Sequence, residues 1–515
     1  MVKTRVSKSD MDGYMSSAML YNYIKLNWPT ADIAWKVHQG KQHGIIIDYI
    51  PEDTDLAIFP DAGTNNIKEH QLLKEGGVDV LVIDHHQCEE ESEYATIINN
   101  QIGDYPNKFL SGGGVVYKFL QVMDSILEIK NSEKFIDMAA VSIVGDMMDL
   151  RDYENRYIVR KGLNNIKNIG LVQLVEQQSF SICGKSCSID EISEITPTNV
   201  AWYVVPLVNA LVRVGTEREK ELLFQAFVEG EKIIPSTKRG DKGNFETVAQ
   251  QAIRNCVNAR SRQNRLKDKA IEELDFKIKK NELFKNQVIF VNVEDNEAFD
   301  NTLTGLIAMN FLAKYKKPTI VARLSSDGFW KGSARSSNTT ELKDFKSFLK
   351  DSELFEFVEG HKCAFGLSLP DKNVDRFMNY ANEQLKEIEF NENVYEVDFI
   401  FGQKEDLSNM IMELGELKAL WGQGIEEPIV VVENLKMFPE DVSFIGANKD
   451  TVKFSINGVS FIKFKNNELA NEIKKHKSGF SITVVGKVSI NDYNGYTTPQ
   501  LIIDDYEIRD TSNDF

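Results

Sequence analysis

The sequence predicts an α/β protein: a parallel-sheet domain in front, a second and smaller α/β lobe reached along one long helix, and a β-rich tail. Three observations carry this reading. The first 170 or so residues alternate short apolar runs with helical stretches, the rhythm of a parallel sheet with helices on both faces. Residues near 243–280 hold one uninterrupted helical phase of good helix formers. Beyond about residue 395, five short apolar runs are separated by Gly, Asn and Asp turns, as in a small barrel.

A chain of 515 residues has room for roughly three domains and an ample core. Its 42% hydrophobic and 27% charged content are those of a soluble globular protein. No apolar run approaches the roughly 18 residues of a membrane span. The start, `MVKTRVSKSDMDG`, turns polar too early for a signal peptide. Five scattered cysteines make no disulfide framework, so a reducing cytoplasm is expected. Cys183 and Cys187 in `CGKSC` have no second Cys/His pair nearby and read as free thiols in a turn. The net charge of −18 argues against nonspecific coating of nucleic acid. The charge is uneven, however. Residues 1–150 carry 12 Lys/Arg against 23 Asp/Glu, whereas residues 301–350 carry 9 against 3. An acidic front suits a cation site, and the later segment is locally basic.

In chain order, `GIIIDYI`, `DLAIFPD` and `DVLVIDHH` read as strands, and `DGYMSSAMLYNYIKL`, `NIKEHQLLKEG` and `GGVVYKFLQVMDSIL` as helices. Residues 196–240 read as mainly helical. After the long helix, `QVIFVNV`, `PTIVARL` and `GLSL` mark the second lobe. `PIVVVENL`, `TVKFSI`, `VSFIKF`, `SITVVGKVSI` and `PQLIIDDYEI` are the strands of the tail. The expected divisions are 1–240, 241–285, 286–390 and 391–515.

The chemistry concentrates in `DVLVIDHHQCEE`. An apolar run opens abruptly onto Asp84, His85 and His86. Polar groups at such a place are costly to desolvate unless something binds them. In parallel sheets ligands bind at the carboxyl ends of strands. Asp10 and Asp12 (`SDMDG`), Asp61 (`FPDAG`), Asp84 and Asp146 (`VSIVGDMMDL`) all read as following strand ends. In an extended loop Asp10 and Asp12 would point the same way. An oxygen-rich site with one imidazole suits Mn²⁺ or Mg²⁺ better than zinc. A pair of such ions would need a bridging carboxylate, for which Asp61 is the candidate. Each aspartate alone reads as a turn or cap residue; the ordered set is what is specific.

That order, `SDMDG`, `PDAG`, `DHH`, `SGGGVVYKF` and `VGDMMDL..YENR`, resembles the motifs of the DHH phosphoesterase superfamily. `PLVNALVRVG`, `KGSARSS`, `EGHKCAFGLSL` and `SINDYNGYTTPQLIIDDYEI` extend the likeness across nearly the whole chain, toward the RecJ family of single-strand-specific 5′→3′ DNA exonucleases. The resemblance implies a DHH parallel-sheet domain, a DHHA1-type lobe and a C-terminal OB-fold β-barrel. It implies that Asp10, Asp12, Asp61, His85 and Asp146 hold metal. Asp84 would orient the metal-bound groups, and His86 would face the scissile phosphate. Water would attack in line and release 5′-mononucleotides. Ser111, Gly112, Gly113 and Gly114 would let backbone approach the substrate, with helix-start packing as the plainer reading. Asn209 and Arg213 would serve the phosphate end. Ser333, Arg335 and His361 would bind nucleic acid, and an arginine among small residues suits bidentate phosphate contact. Arg260, Arg262 and Arg265 read equally well as strand-tracking or as a solvated helix face. Tyr493 and Tyr496 are the preferred base-stacking candidates in the tail.

The chain departs from the family at two places. Lys8 stands where relatives carry Asp or His, and an ammonium repels a cation rather than binding it. Lys8 pointing away, substitution by His38 or His43, and replacement of one ion by the lysine's charge are the available accounts; a weakened or absent first metal is favoured. Glu359 stands where a glycine is usual, and its carboxylate near a phosphate path would reduce affinity. The expected partner is single-stranded DNA, with a single-strand-binding protein or helicase as further candidates, no membrane, and a monomeric chain. The acidic end `IRDTSNDF` reads as a solvated tail. Two alternatives stand beside this reading. One is a small-substrate phosphoesterase, such as an oligoribonuclease or cyclic-dinucleotide phosphodiesterase, against which the OB-like tail counts. The other is a non-catalytic DHH-fold replication protein, favoured only by Lys8.

Overall fold

A computed structural model describes residues 2–4, 10–38, 44–241, 243–293, 301–337, 341–390, 395–493 and 496–510. The chain divides into two compact units: Met1–Ala259 together with Val397–Phe515, and Arg260–Glu396.

The first unit is built on a parallel sheet. Its strands are β1 (Val2–Thr4), β2 (Ile33–Ala34), β3 (Leu56–Pro60), β4 (Asp79–Asp84) and β5 (Thr96–Asn99), in the order β2-β1-β3-β4-β5. Every pair is parallel. Helices α1 (Met11–Asn27), α2 (Ile67–Glu75) and α3 (Gly112–Leu127) pack on it, α4 (Ile136–Gly145) packs against α1 and α3, and α5 (Tyr153–Leu163) against α4. β3 and β4 are apolar and largely buried, as strands covered on both faces must be.

Two expectations need correction here. `GIIIDYI` is no strand; Ile47–Tyr49 forms a single 3₁₀ turn. Ile45 is buried and Ile50 packs against the same cluster under β3 and β4, but the stretch pairs with no strand. Asp146 follows a helix, not a strand. In α4 every residue from Ile136 to Val144 is buried, and a helix apolar all round carries no amphipathic signature to separate it from a strand.

The long helix runs from Val248 to Lys280, 33 residues, or about 50 Å. It starts later than its composition suggests, because Phe245–Thr247 (β7) pairs with Ile233–Pro235 (β6) in a hairpin. Thr247 and Gln250 then cap it reciprocally: Gln250 N–H donates to Thr247 Oγ1 (3.1 Å) and Thr247 N–H to Gln250 Oε1 (3.0 Å). Glu246 ties the hairpin to the helix. It accepts from both arms of the Arg254 guanidinium, from Gln251 Nε2 (2.7 Å) and from Thr237 N–H (3.1 Å). The Arg254 fork is the main cause that lowers its carboxyl from 4.5 to about 2. A depressed carboxylate stabilises above its unfolded value, and the contribution is lost as pH falls from 4.5 through about 2. Glu246→Gln should therefore cost about 2 kcal/mol at pH 7. In urea unfolding the gap to wild type should shrink as pH approaches 3; a gap constant with pH would contradict this.

In the second unit, Ala270, Leu274 and Ile278 of the long helix join Ile289, Ile307 and Phe311 in one apolar cluster. The sheet there comprises β8 (Ile289–Val293), β9 (Thr319–Leu324), β10 (Phe329–Arg335), β11 (Phe357–His361) and β12 (Ala364–Pro370), ordered β11-β12-β10-β9-β8. Only β8 and β9 run parallel, joined by the helix Thr304–Tyr315.

The tail forms β13 (Phe399–Gly402), β14 (Ile429–Met437), β15 (Ser443–Ile445), β16 (Thr451–Ile456), β17 (Val459–Lys463), β18 (Phe480–Tyr493) and β19 (Tyr496–Asp510). The five strands expected from sequence are present, with β13 and β15 added at the two ends of the order β13-β14-β18-β19-β17-β16-β15. Phe454 and Phe461, whose rings stack at 5.0 Å, belong to its buried core. Among the described residues no helix is long and apolar enough to cross a membrane.

Candidate active site

Pro60 at the end of β3 lies beside Ile83 of β4, so the next residue of each strand enters the same crevice. Asp61 N–H donates to Ile83 O (2.8 Å), and φ of 59° turns the carboxylate into the buried interior. Aspartate is among the few residues that visit this left-handed region at modest cost.

Asp84 is fully buried and saturated with donors. Its Oδ2 accepts from Thr64 N–H (3.1 Å) and Thr64 Oγ1 (2.7 Å). Its Oδ1 accepts from His85 N–H (2.8 Å) and His86 N–H (3.3 Å), and lies 2.6 Å from His86 Nδ1. Burial alone would raise this carboxyl; the His86 hydrogen bond and charge, with the Thr64 donors, outweigh it and hold the group well below the ordinary range. In the other direction, burial would lower His86, but the Asp84 bond and charge raise it. Asn99 Nδ2 donates to Thr64 Oγ1 (2.9 Å) and His86 O (2.8 Å), locking the loop from β5.

His85 sits at the focus. Its Nε2 is 3.3 Å from Asp61 Oδ1, 3.4 Å from Asp146 Oδ2 and 3.7 Å from Asp12 Oδ2. That nitrogen is buried and makes no hydrogen bond. Three carboxylates gathered round one imidazole nitrogen, two of them almost wholly buried, repel one another unless a cation joins them. Potential ligand atoms converge in two overlapping groups, Asp12/His85/Asp146 and Asp61/Asp84/His85/His86. This donor set fits a hard, oxygen-seeking cation such as Mn²⁺ or Mg²⁺.

Asp12 is held from across the sequence. Its Oδ2 accepts from Gly112 N–H and its Oδ1 from Gly113 N–H, both at 2.8 Å, at the N-terminus of α3. Ser142 Oγ donates to Oδ1 as well, and Ser111 Oγ lies 2.6 Å from Ser142 Oγ while capping Gly114 N–H (3.1 Å). A Cβ at Gly112 would come within 2.5 Å of Asp61 Cβ, and one at Gly113 within 2.3 Å of Ser142 Oγ. Gly112, Gly113 and Gly114 are buried, and the first two let the helix end close on two carboxylates.

Asp10 and Asp12 do not alternate along an extended loop. Asp10 caps α1, accepting from Gly13 N–H (2.9 Å), and Asp12 lies in the helix's first turn. Asp10 belongs to neither converging group. His38 is buried in the first unit. Lys8 and His43 lie outside the described residues. Sequence reasoning missed Thr64, Asn99 and Ser142. Only Ser142 had a local signal, four residues before Asp146 on one helical face.

Asn209 is half-buried and Arg213 exposed on the helix Val205–Val214. In the second unit, β10, β12 and β11 align Arg335, Ala364 and His361 in one row and Ser333, Gly366 and Glu359 in the next. Directly opposed residues, and residues two apart, share a face. Ser333, Arg335, His361 and Glu359 thus stand on one face, with Ala364 and Gly366 between them. Ser333 Oγ is 2.9 Å from Thr304 Oγ1, and a Cβ on Gly305 would meet Arg335 Nη2 at 2.5 Å, so the guanidinium lies against the first turn of the helix Thr304–Tyr315. On the long helix Arg260 donates to Gln263 Oε1 (2.9 Å), and Arg265 is exposed. The side chains of Tyr493 and Tyr496 lie outside the described residues. Cys183 and Cys187 are free, with sulfurs 3.2 Å apart.

Residues 6–144 match the model of the DHH family N-terminal domain, and residues 403–505 that of the RecJ OB domain. The chain is 36% identical over 507 residues to YorK of Bacillus subtilis, named as a candidate SPβ prophage-derived single-strand DNA-specific exonuclease; the match covers 97% of this chain and 86% of that one. It is 27% identical over 472 residues to the single-stranded-DNA-specific exonuclease RecJ of the same organism, covering 88% of this chain and 54% of that one. Its fold matches the crystal structure of RecJ in complex with Mn²⁺ from Thermus thermophilus with a TM-score of 0.71 at 20% identity, over 99% of this chain and 69% of that one.

Proposed function

The chain belongs to the RecJ family of the DHH superfamily, and from that premise we propose that it is a metal-dependent exonuclease of single-stranded DNA, acting 5′→3′ and releasing 5′-mononucleotides. The observation that carries the proposal is the ring of Asp12, Asp61 and Asp146 about His85 Nε2, where the ends of β3 and β4 meet the start of α1 and the end of α4. These four residues would hold Mn²⁺ or Mg²⁺, which when bound polarises the phosphoryl group and activates water. With Lys8 beside Asp10 in sequence and Asp10 outside the converging groups, one tight ion per chain is the expected load. Asp84 orients the two histidines through Oδ1 while Thr64 occupies Oδ2. For His86, its side chain 44% exposed, Asp84 favours the protonated imidazole against the opposing effect of burial, and its free edge would then donate to a scissile phosphate.

Binding of the strand falls to the Ser333/Arg335/His361 face, with Asn209 and Arg213 serving the phosphate end and Tyr493 or Tyr496 stacking bases. An arginine fork beside a helix N-terminus suits phosphate. Glu359 shares that face and opposes it. Glu359→Gly should tighten binding of a single strand about 2- to 5-fold at low salt, as for an exposed charge, with the gain fading as salt rises. Weaker binding in anisotropy titrations would contradict this. Segments 1–240, 241–285, 286–390 and 391–515 are read as catalytic domain, connecting helix, nucleic-acid lobe and OB domain. Roles in recombination, repair or replication, a monomeric state, and helicase or single-strand-binding-protein partners rest on the resemblance alone, and a cytoplasmic location on the five scattered cysteines.

Digestion of 5′-labelled and 3′-labelled single strands in Mn²⁺ tests the proposal, with the Asp84→Ala/His85→Ala double variant as control. Immediate mononucleotide release from the 5′ label, absent in the control, is expected. Release from the 3′ label first would overturn the polarity, and no release from either would overturn the activity.

A further inference from the structure

Met147 directly follows Asp146, is 63% exposed, and is held at φ 55°. Trp202 is 73% exposed on the π-helical turn Val200–Val204, a geometry that recurs at functional sites. Both open onto one cavity of about 420 Å³, whose other walls include Met148, Leu150 and Trp421. That volume lies within the roughly 300–1,000 Å³ of small-ligand sites.

The cavity is built by two parts of the first unit fitted together. Leu150 N–H, just past the metal-site aspartate, donates to Gln423 O (2.8 Å) of the OB domain. A Cβ at Gly422 would stand 2.5 Å from Leu150 Cδ1, and one at Gly424 2.2 Å from Asp149 Oδ1. Any side chain at either position would lift the loop from the segment after α4. The rim carries the Glu427–Lys487 pair, with 3.6 Å between charged atoms.

We propose that this cavity takes one base of the strand being degraded, stacked on Trp202, and so sets which phosphate reaches the His85 cluster. The proposal rests on the nuclease reading above. Its occupant must lie close to the metal centre, because the wall begins one residue after Asp146. A base has an apolar face to match the indole and the methionines, and stacking of this kind holds single strands without reading sequence.

The test uses the full chain with Ca²⁺ in place of Mn²⁺, and 5′-phosphorylated dT12 carrying a 3′ fluorophore. A companion set has a single abasic residue at each of the leading positions in turn. Wild type should lose about 5- to 100-fold in affinity at one position, the range that base stacking supplies. Trp202→Ala should bind intact dT12 more weakly by that factor and show no penalty there; Trp202→Phe should restore most of both. An exposed side chain leaves folding untouched, which equal thermal midpoints would confirm. Trp202→Ala within twofold of wild type, or with the same positional penalty, would overturn the base site while leaving the nuclease reading intact and would give the cavity to another occupant. Failure of wild type to bind any of the strands would overturn both.

Discussion

Replacing His85 with alanine should abolish Mn²⁺-dependent cleavage of single-stranded DNA, with a loss in kcat/KM of about 1,000-fold or more. The reason is geometric. His85 Nε2 lies within 3.7 Å of Asp12, Asp61 and Asp146 together, so its removal takes away the nitrogen that the three carboxylates share. The several kcal/mol that a bound cation supplies to a phosphoryl transition state then disappear, and each 1.36 kcal/mol is tenfold in rate. His86→Ala is the informative comparison, because it removes the outer histidine but leaves the carboxylates and His85 in place. It should slow turnover while sparing metal affinity. A His85→Ala enzyme within tenfold of wild type would show that the cluster is not the reactive centre.

The second large effect is expected from a single methyl group. Gly113→Ala would place Cβ 2.3 Å from Ser142 Oγ and 3.3 Å from Asp12 Oδ1. Neither neighbour can yield cheaply, since Ser142 hydrogen-bonds Asp12 and both are buried. Overpacking of this kind costs about 1–3 kcal/mol. Activity should fall further than stability does, by about 100-fold, because the displaced group is a metal-site carboxylate and small misplacements of reacting groups are costly. Gly114→Ala supplies the contrast. Its Cβ would meet Leu110 Cδ2 at 2.9 Å and Leu110 Cβ at 3.3 Å, a buried apolar neighbour and not a metal-site group, so stability should fall but activity should stay within a few-fold. Parallel urea unfolding and kinetics on the two variants separate packing from positioning; equal losses at both glycines would contradict the account.

What could be read in the sequence follows from what is local. Asp61 and Asp84 end apolar strands, and the abrupt change from apolar to acidic is visible without a structure. The long helix declares itself by phase, and the tail strands by turns at regular intervals. What stayed hidden left no local period. β1, β2 and β5 are three, two and four residues long, too short to leave a period. Asp146 ends a helix buried on every side, where periodicity is silent. The grip on Asp12 comes from Gly112, Gly113 and Ser142, 100 to 130 residues away, and such contacts are set by packing of α1, α3 and α4 rather than by any neighbouring residue. Thr64 is similar: nothing in `PDAGT` announces that its backbone and side chain both serve Asp84.

The central claim is that the residues around His85 form a divalent-metal centre. Equilibrium dialysis against Mn²⁺, on the wild-type chain and on His85→Ala, tests it without reference to any substrate. Close to one tightly held ion per wild-type chain is expected, with loss of that ion in the variant. An unchanged count in His85→Ala would contradict the centre itself, and two equally tight ions in wild type would contradict the weakened first site inferred from Lys8.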